Sequence, residues 1–271
     1  MVPAADRGGT GMIRVGIGGW TFAPWCGTFY PKGLPHAREL EHASRHVTAI
    51  EINGTFYRTQ SPESFRKWAA ETPENFVFSV KGHRFVTNRK RLAEAGDAVE
   101  TFIASGVLEL GDKLGPLLWQ LAPTKRFEPE DIDAFLRLLP KERGGRPLRH
   151  ALEVRHETFL VPELIEVLRR HQVPAVFAES DEYPAIADPV GDFVYARLQR
   201  CREAEQEGYP PAELDLWAGR ARAWKRGETP EGLPCLATTR PEKRPRDVFV
   251  FFIAGDKVRA PMAAQAMLRR L

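Results

Sequence analysis

The sequence predicts one α/β domain, a (β/α)8 barrel of the TIM type, and three observations carry that expectation. Strand-like runs begin near residues 13, 47, 76, 116, 149, 173, 192 and 247, and nearly every gap between them holds a helical pattern, the alternation that builds a parallel sheet under helices. The length of 271 residues lies near the ~250 usual for this barrel. In five runs an apolar lane alternates with a lane ending in a charged or amide side chain, as strand geometry requires when one face differs from the other. A doubly wound open sheet is the rival arrangement. The domain is expected over residues 13–271, behind a leader over residues 1–12 rich in Gly, Ala and Pro.

Strand one ends in Gly16-Ile17-Gly18-Gly19, which lacks the G-x-G-x-x-G spacing of a phosphate loop and reads as backbone room beneath Trp20. The next loop carries Trp20, Phe22, Trp25, Phe29 and Tyr30, enough rings either to wall a flat ligand or to pack a small core of their own. Leu40, Ala43 and Val47 have helical spacing. Strand two, Val47 to Asn53, leads into Phe56 and Tyr57. Five later helices open on Pro62, Pro129, Pro162, Pro211 and Pro261, where the missing N–H costs nothing and the fixed φ suits a first turn. Apolar stripes follow each, as in Ile132, Phe135, Leu136 and Leu139. Val99, Phe102, Ile103, Val107 and Leu110 mark a further helix, which Gly106 weakens by about 1 kcal/mol relative to alanine. Only 13 residues separate Ala178 from Asp192, so the connection between strands six and seven is expected to be irregular.

Composition narrows the function classes. With 43% hydrophobic residues the chain can bury a full core. A formal net charge of +3 is too small to demand a nucleic-acid partner. Cys26, Cys201 and Cys235 are isolated in sequence, which suits a reduced, cytoplasmic setting. The longest apolar run, Val248 to Ala254, is far short of the roughly 20 residues a membrane helix needs, so no membrane partner is expected.

Strict alternation sends Ala49, Glu51 and Asn53 of strand two toward the barrel interior. It does the same for Ser79 and Lys81 of strand three, Leu118 and Gln120 of strand four, Ala151, Glu153 and Arg155 of strand five, and Phe193, Tyr195 and Arg197 of strand seven. The opposite lanes are apolar, as helix-facing lanes of a parallel sheet should be. The polar groups fall at the carboxyl ends of the strands, where such barrels assemble their sites. Burying these ions unpaired is expensive, so the set either neutralises itself as a structural ionic layer or meets a ligand. Lys81, Arg155 and Arg197 outnumber Glu51 and Glu153, and the surplus suits a small anionic ligand such as a phosphorylated sugar or a nucleotide-like molecule. On that reading the catalytic candidates are Glu51, Lys81 and Glu153, a carboxylate as general base and Lys81 as electrophile or Schiff-base nucleophile. Trp20, Asn53, Tyr57, Gln120, Arg155, His156 and Arg197 are the candidate ligand-binding residues.

No cofactor is predicted. A single divalent metal on His83 and His156, with Glu153, Glu179 or Asp181, is the weaker alternative. His36, His42 and His46 fall on a helix face expected to be solvated, and His150 and His171 precede strands five and six at the opposite end. Arg84, Arg89, Lys90 and Arg91 follow strand three and are placed to funnel an anion inward. Eight Lys and Arg between residues 219 and 246 are expected to form a solvated far surface, where nucleic-acid contact is the competing reading.

These residues resemble the YecE-like family, domain of unknown function 72, over most of the chain from Ile13. The resemblance rests on Gly19-Trp20, Gly27-Thr28-Phe29-Tyr30-Pro31, the octet Glu51 to Arg58, Phe76 to Lys81, Gln120-Leu121-Ala122-Pro123, Glu153-Val154-Arg155-His156 and Tyr195-Ala196-Arg197-Leu198. It implies a TIM-type barrel with a polar pocket at its carboxyl end and supplies no reaction. The chain departs from the family pattern in three places. Gln199-Arg200 stand for His-Gly, Phe252-Ile253-Ala254-Gly255 lack an asparagine pair, and Ala260 to Gln265 replace a small-residue helix start with its asparagine. These departures imply a mouth poorer in polar groups near strands seven and eight. An enzyme doing acid/base chemistry is the leading expectation, with a phosphodiester-processing or nucleic-acid-binding protein and a non-catalytic ligand sensor as rivals.

Overall fold

Apolar runs bounded by glycine and proline become strands buried on both faces, which is the signature of a parallel sheet covered by helices. The computed structural model describes residues 11–239 and 242–271, so the leader as far as residue 10, together with Arg240 and Pro241, lies outside the described residues. Among those residues eight strands build the main sheet: β1 (Ile13–Gly18), β2 (Ala49–Ile52), β3 (Val77–Lys81), β4 (Leu114–Gln120), β5 (His150–Glu153), β6 (Val176–Glu179), β7 (Phe193–Leu198) and β8 (Asp247–Phe252). Neighbours run β5-β4-β3-β2-β1-β8-β7-β6, parallel at every pairing. The end strands meet at a bridge between Leu152 and Ala175, where the Leu152 N–H donates to the Pro174 carbonyl at 3.0 Å. The sheet is thus a near-closed TIM-type barrel, as the alternation predicts.

Eight α-helices accompany it among the described residues: α1 (Glu39–Ser44), α2 (Pro62–Glu71), α3 (Arg84–Thr87), α4 (Gly96–Ala104), α5 (Pro129–Leu138), α6 (Pro162–His171), α7 (Pro211–Lys225) and α8 (Ala260–Leu268). Proline occupies the first or second position of the five helices expected to open on it. No helix bridges β6 and β7, in line with the short gap between them. The helix expected from Val99 through Leu110 is a correction: α4 stops at Ala104, Gly106 takes φ 111°, and a 3-10 segment Val107–Lys113 follows. The break is a glycine stop: Ser105 caps α4 and Gly106 follows in the left-handed region, at a place where a Cβ would lie 2.7 Å from the Pro62 Cα.

Two apolar cores result from the two lanes. Ile50, Ile52, Phe78, Val80, Leu117, Trp119 and Leu152 pack outward against the helices. Ala49, Leu118, Ala151, Val176, Phe193, Tyr195, Phe249 and Phe251 fill the barrel's interior. Because side chains repeat with period two, this parity carries every inward lane up to the carboxyl rim. The basic far surface needs one correction. Arg246 is 2% exposed, and its guanidinium donates to the carbonyls of Gly191, Gly227, Arg244 and Glu242.

Candidate functional site

Above the apolar plug, the inward lanes of β2, β3, β4, β5 and β7 place five charged groups and one amide in mutual contact. Glu51 and Glu153 are both fully buried. Arg197 bridges them, donating from Nη2 to Glu51 Oε1 at 3.1 Å and from Nη1 to Glu153 Oε2 at 2.5 Å. Arg155 Nε donates to the remaining Glu153 oxygen at 2.9 Å. Glu51 Oε2 accepts from the Tyr195 hydroxyl at 2.7 Å, and that hydroxyl lies 2.7 Å from Ser79 Oγ. Both carboxylates are therefore committed on each oxygen.

The cations share a different acceptor. Gln120 Oε1 receives Lys81 Nζ at 2.8 Å, Arg155 Nη2 at 2.7 Å and Arg197 Nη1 at 3.3 Å. Three positive groups thus converge on one neutral oxygen, and the five ions sum to a net positive charge. Burial and the neighbouring Arg197 guanidinium push the Lys81 amine down to about 8, against the opposing pull of Glu51 and Glu153. Burial alone would raise the Glu153 carboxyl, but Arg197, Arg155 and Lys81 outweigh it and hold it below the ordinary range. The same carboxylates overcome burial at Arg197 and raise it. Arg197 Nε is buried without a hydrogen-bond partner among the described residues.

Beside this lattice opens a cavity of about 540 Å³. Its lining includes Gly18, Gly19, Trp20, Asn53, Tyr57, Arg58, Trp68, Lys81, Ile253, Ala254 and Lys257, with no carboxylate among them. Lys81 is the link, since it belongs both to the ionic lattice and to the cavity wall. The Phe56 ring lies under its Nζ at 4.5 Å. A Cβ at Gly18 would press on the Asn53 amide nitrogen at 3.1 Å, so the glycine leaves room for that side chain.

The candidate residues therefore divide. Trp20, Asn53, Tyr57 and Lys81 line the cavity. Glu51, Glu153, Gln120, Arg155 and Arg197 form the lattice behind it. His156 belongs to neither, because its Nδ1 caps the following turn by accepting from the Thr158 N–H at 3.2 Å. His83 caps α3 in the same way through Phe85 N–H. Glu179 points into the outer core and accepts from Tyr209 at 2.6 Å and Trp217 at 3.2 Å, while Asp181 pairs with Arg200 on the surface. Among the described residues no group of three His, Cys, Asp or Glu is gathered to hold a metal ion.

The aromatic loop splits as well. Trp25, Phe29 and Tyr30 pack into the outer core shared with the helices rather than into a separate one, and Trp20 meets Trp68 edge-on at 5.0 Å on the cavity wall. His42, expected on a solvated face, is half-buried, bonds the Phe29 carbonyl at 3.0 Å and stacks on His46. Desolvation pushes the His150 imidazole down to about 4, where it accepts from Trp119 Nε1 at 3.0 Å in the outer core. Sequence reasoning missed Arg58 and Lys257 as lining residues. Arg58 was in view as the last residue of the octet, whereas Lys257 lies past β8 in a turn that no periodicity marks.

Comparison with known proteins sets this geometry in a family. The model of the family described as "Protein of unknown function DUF72" matches residues 14–271. UPF0759 protein YunF of Bacillus subtilis is 29% identical over 57% of this chain and 55% of its own length. UPF0759 protein YecE of Escherichia coli K12 is 28% identical over 55% of this chain and 50% of its own. The chain thus spans about half the length of the curated relatives it matches. Among solved structures, a DUF72 family protein of Thermotoga maritima superposes with a TM-score of 0.72 at 25% identity, covering 95% of this chain and 98% of that one. One from Enterococcus faecalis shares the fold at 16% identity and a TM-score of 0.68, covering 96% and 97%.

Proposed function

This chain belongs to the DUF72 family of unknown function, and from that premise we propose that it is an enzyme binding a small anionic ligand at the carboxyl mouth and doing acid/base chemistry there. The observation that carries the reading is the convergence of Lys81, Arg155 and Arg197 on the single oxygen of Gln120. An amide oxygen offers two lone pairs and no charge, so three cations around it leave attraction for an anion unused. The cavity adds Arg58 and Lys257 and presents no carboxylate to repel such a ligand.

Within this proposal the roles shift toward Lys81. Glu51 and Glu153 have both oxygens engaged and do not line the cavity, which suits them to fixing Arg197 and Arg155 rather than to taking a substrate proton. Lys81, at about 8, exchanges a proton near neutral pH and reaches the cavity, as a general acid or base must. Trp20 and Tyr57 offer ring faces to the ligand's apolar part. The free thiols of Cys26 and Cys201 support a reducing, cytoplasmic setting. Among the described residues no helix is long and apolar enough to cross a membrane.

Thermal melts with inorganic phosphate and with small sugar phosphates test the reading. A ligand at 100-fold over its Kd adds about 2.7 kcal/mol, roughly 5–10 °C in Tm for a chain of this size. Arg58→Ala should cut that shift by at least half without lowering the ligand-free Tm. Melts indifferent to every anion tried would remove the proposal.

A further inference from the structure

The cavity exposes to a ligand an amine that forms no direct ion pair with a carboxylate among the described residues. Lys81 makes its hydrogen bond to the neutral Gln120 oxygen, at 2.8 Å, although two carboxylates stand in the same lattice. Both are taken by guanidiniums, Arg197 across the pair and Arg155 on Glu153. The Arg155 and Arg197 nitrogens reach the same Gln120 oxygen, so two like charges stand within a few ångströms of the amine. Phe56 covers it from one side, and the side chain is 7% exposed. Desolvation beside other cations is the arrangement that turns a lysine into a nucleophile, because it favours the neutral amine.

We propose that Lys81 is a covalent nucleophile toward small carbonyl compounds bearing an anionic group, forming an iminium through Nζ while Arg58 and Lys257 hold the anion. The inference rests on the anion-binding reading of the same cavity and specifies its substrate class: an aldehyde or ketone carrying a phosphate or carboxylate, small enough for about 540 Å³. The ammonium first gives a proton to water. The amine lone pair then forms the C–N bond as the carbonyl π pair moves to oxygen, which takes up a proton. The nitrogen loses its second proton to water, the hydroxyl takes up a proton from water, and it leaves as water as the nitrogen lone pair closes the C=N bond. Ammonium plus carbonyl becomes iminium plus water, with charge conserved and no redox partner needed. The iminium keeps the positive charge in place, so the lattice around Gln120 sees little change along the way.

Lys257 is the competing amine in the cavity wall. It rests over the Phe22 and Trp25 rings at 4.8 and 5.3 Å, and desolvation favours its neutral amine too, but without the added push that Arg197 and Arg155 give Lys81.

The experiment incubates the full chain with glycolaldehyde phosphate, or with uncharged glycolaldehyde, in the presence of sodium cyanoborohydride. Intact mass and peptide mapping then locate any reduced adduct. The expected result is one dominant adduct on Lys81, formed at least tenfold faster with the phosphate ester, abolished in Lys81→Arg and reduced toward the uncharged rate in Arg58→Ala. Its rate should climb as pH rises toward about 8, where the amine loses its proton. Labelling spread over surface lysines such as Lys32 and Lys67, or concentrated on Lys257, overturns the proposal, as does equal labelling by the two aldehydes. A phosphate-induced thermal shift without a Lys81 adduct sinks the covalent step and leaves the anion site standing. Absence of that shift removes the anion site and this inference with it.

Discussion

The two ends of the barrel carry cavities of nearly equal size, about 540 Å³ at the carboxyl mouth and 550 Å³ at the amino end, and both are rich in arginine or lysine. At the amino end the charges balance, with Arg14, Arg146 and Arg149 facing Asp112, Asp192 and Asp247. Arg149 donates to Asp247 and Asp192 at 2.6 Å each, and Arg146 to Asp112 at 2.9 Å. At the carboxyl mouth Arg58, Lys81 and Lys257 line a cavity with no acid, and the carboxylates are sealed behind it. Cavity size therefore discriminates nothing here. Unneutralised charge does, since only one end has attraction left for a ligand.

The sharpest way to break the contrast is to unbalance the lattice. Glu153→Gln leaves Arg197 and Arg155 buried against one carboxylate fewer, and removing one partner of a buried ion pair typically costs about 3–5 kcal/mol. Urea denaturation should show a loss of that order at pH 7, with the variant still folded at low temperature. A loss below about 1 kcal/mol would mean that the lattice is solvated and loosely held.

Lys81→Met works in the opposite direction. The folded chain holds Lys81 at about 8, below the ordinary lysine value of 10.5 that applies when unfolded. Below pH 8 both states are protonated and the folded state bears the cost of a buried charge. Between 8 and 10.5 the unfolded chain binds more protons, so this cost fades as pH rises. Methionine should thus stabilise the protein at pH 7 by on the order of 1–3 kcal/mol, the gain shrinking above pH 8 and vanishing near 10.5, while anion-induced thermal shifts are lost. A site that gives up stability to keep a charge has a use for the charge.

How much of this was legible in the sequence follows from what periodicity can encode. Period two fixed the inward lanes, so Glu51, Lys81, Gln120, Glu153 and Arg197 converge where alternation put them. Proline at the first turn located helices such as α5 and α6 to the residue. Gly106 was misjudged as a weak interior residue: it sits just past the end of α4 in the left-handed region, a stop that glycine permits, and only its packing against Pro62 is a contact between distant parts of the chain. Glu179 sits one residue off the inward lane, where parity sends it to Tyr209 and Trp217 instead of the mouth. Lys257 and the burial of Arg246 depend on where irregular loops fold back, and no repeat in the sequence announces that.

At the amino end, Arg149→Ala should behave as an ordinary partly exposed ion-pair loss. Its side chain is 26% exposed, so roughly 1 kcal/mol is expected, and phosphate-induced shifts should match the parent protein. An equal loss of anion response in this variant would erase the distinction between the two cavities.

The smallest stability effect is expected from Tyr57→Ala. The residue is 65% exposed, with its ring edge-on to Phe56, so the ligand-free Tm should stay within the change that about 0.5 kcal/mol produces. Its ring nevertheless borders the same cavity as Lys81 and Arg58. A ligand with a planar or apolar portion should lose about 1 kcal/mol of affinity, near fivefold, whereas inorganic phosphate, which offers no face to stack, should bind unchanged. Isothermal titration with both ligands separates ring contact from charge: a parallel drop for both would place Tyr57 in the electrostatics of the mouth, and no drop for either would leave it outside the site.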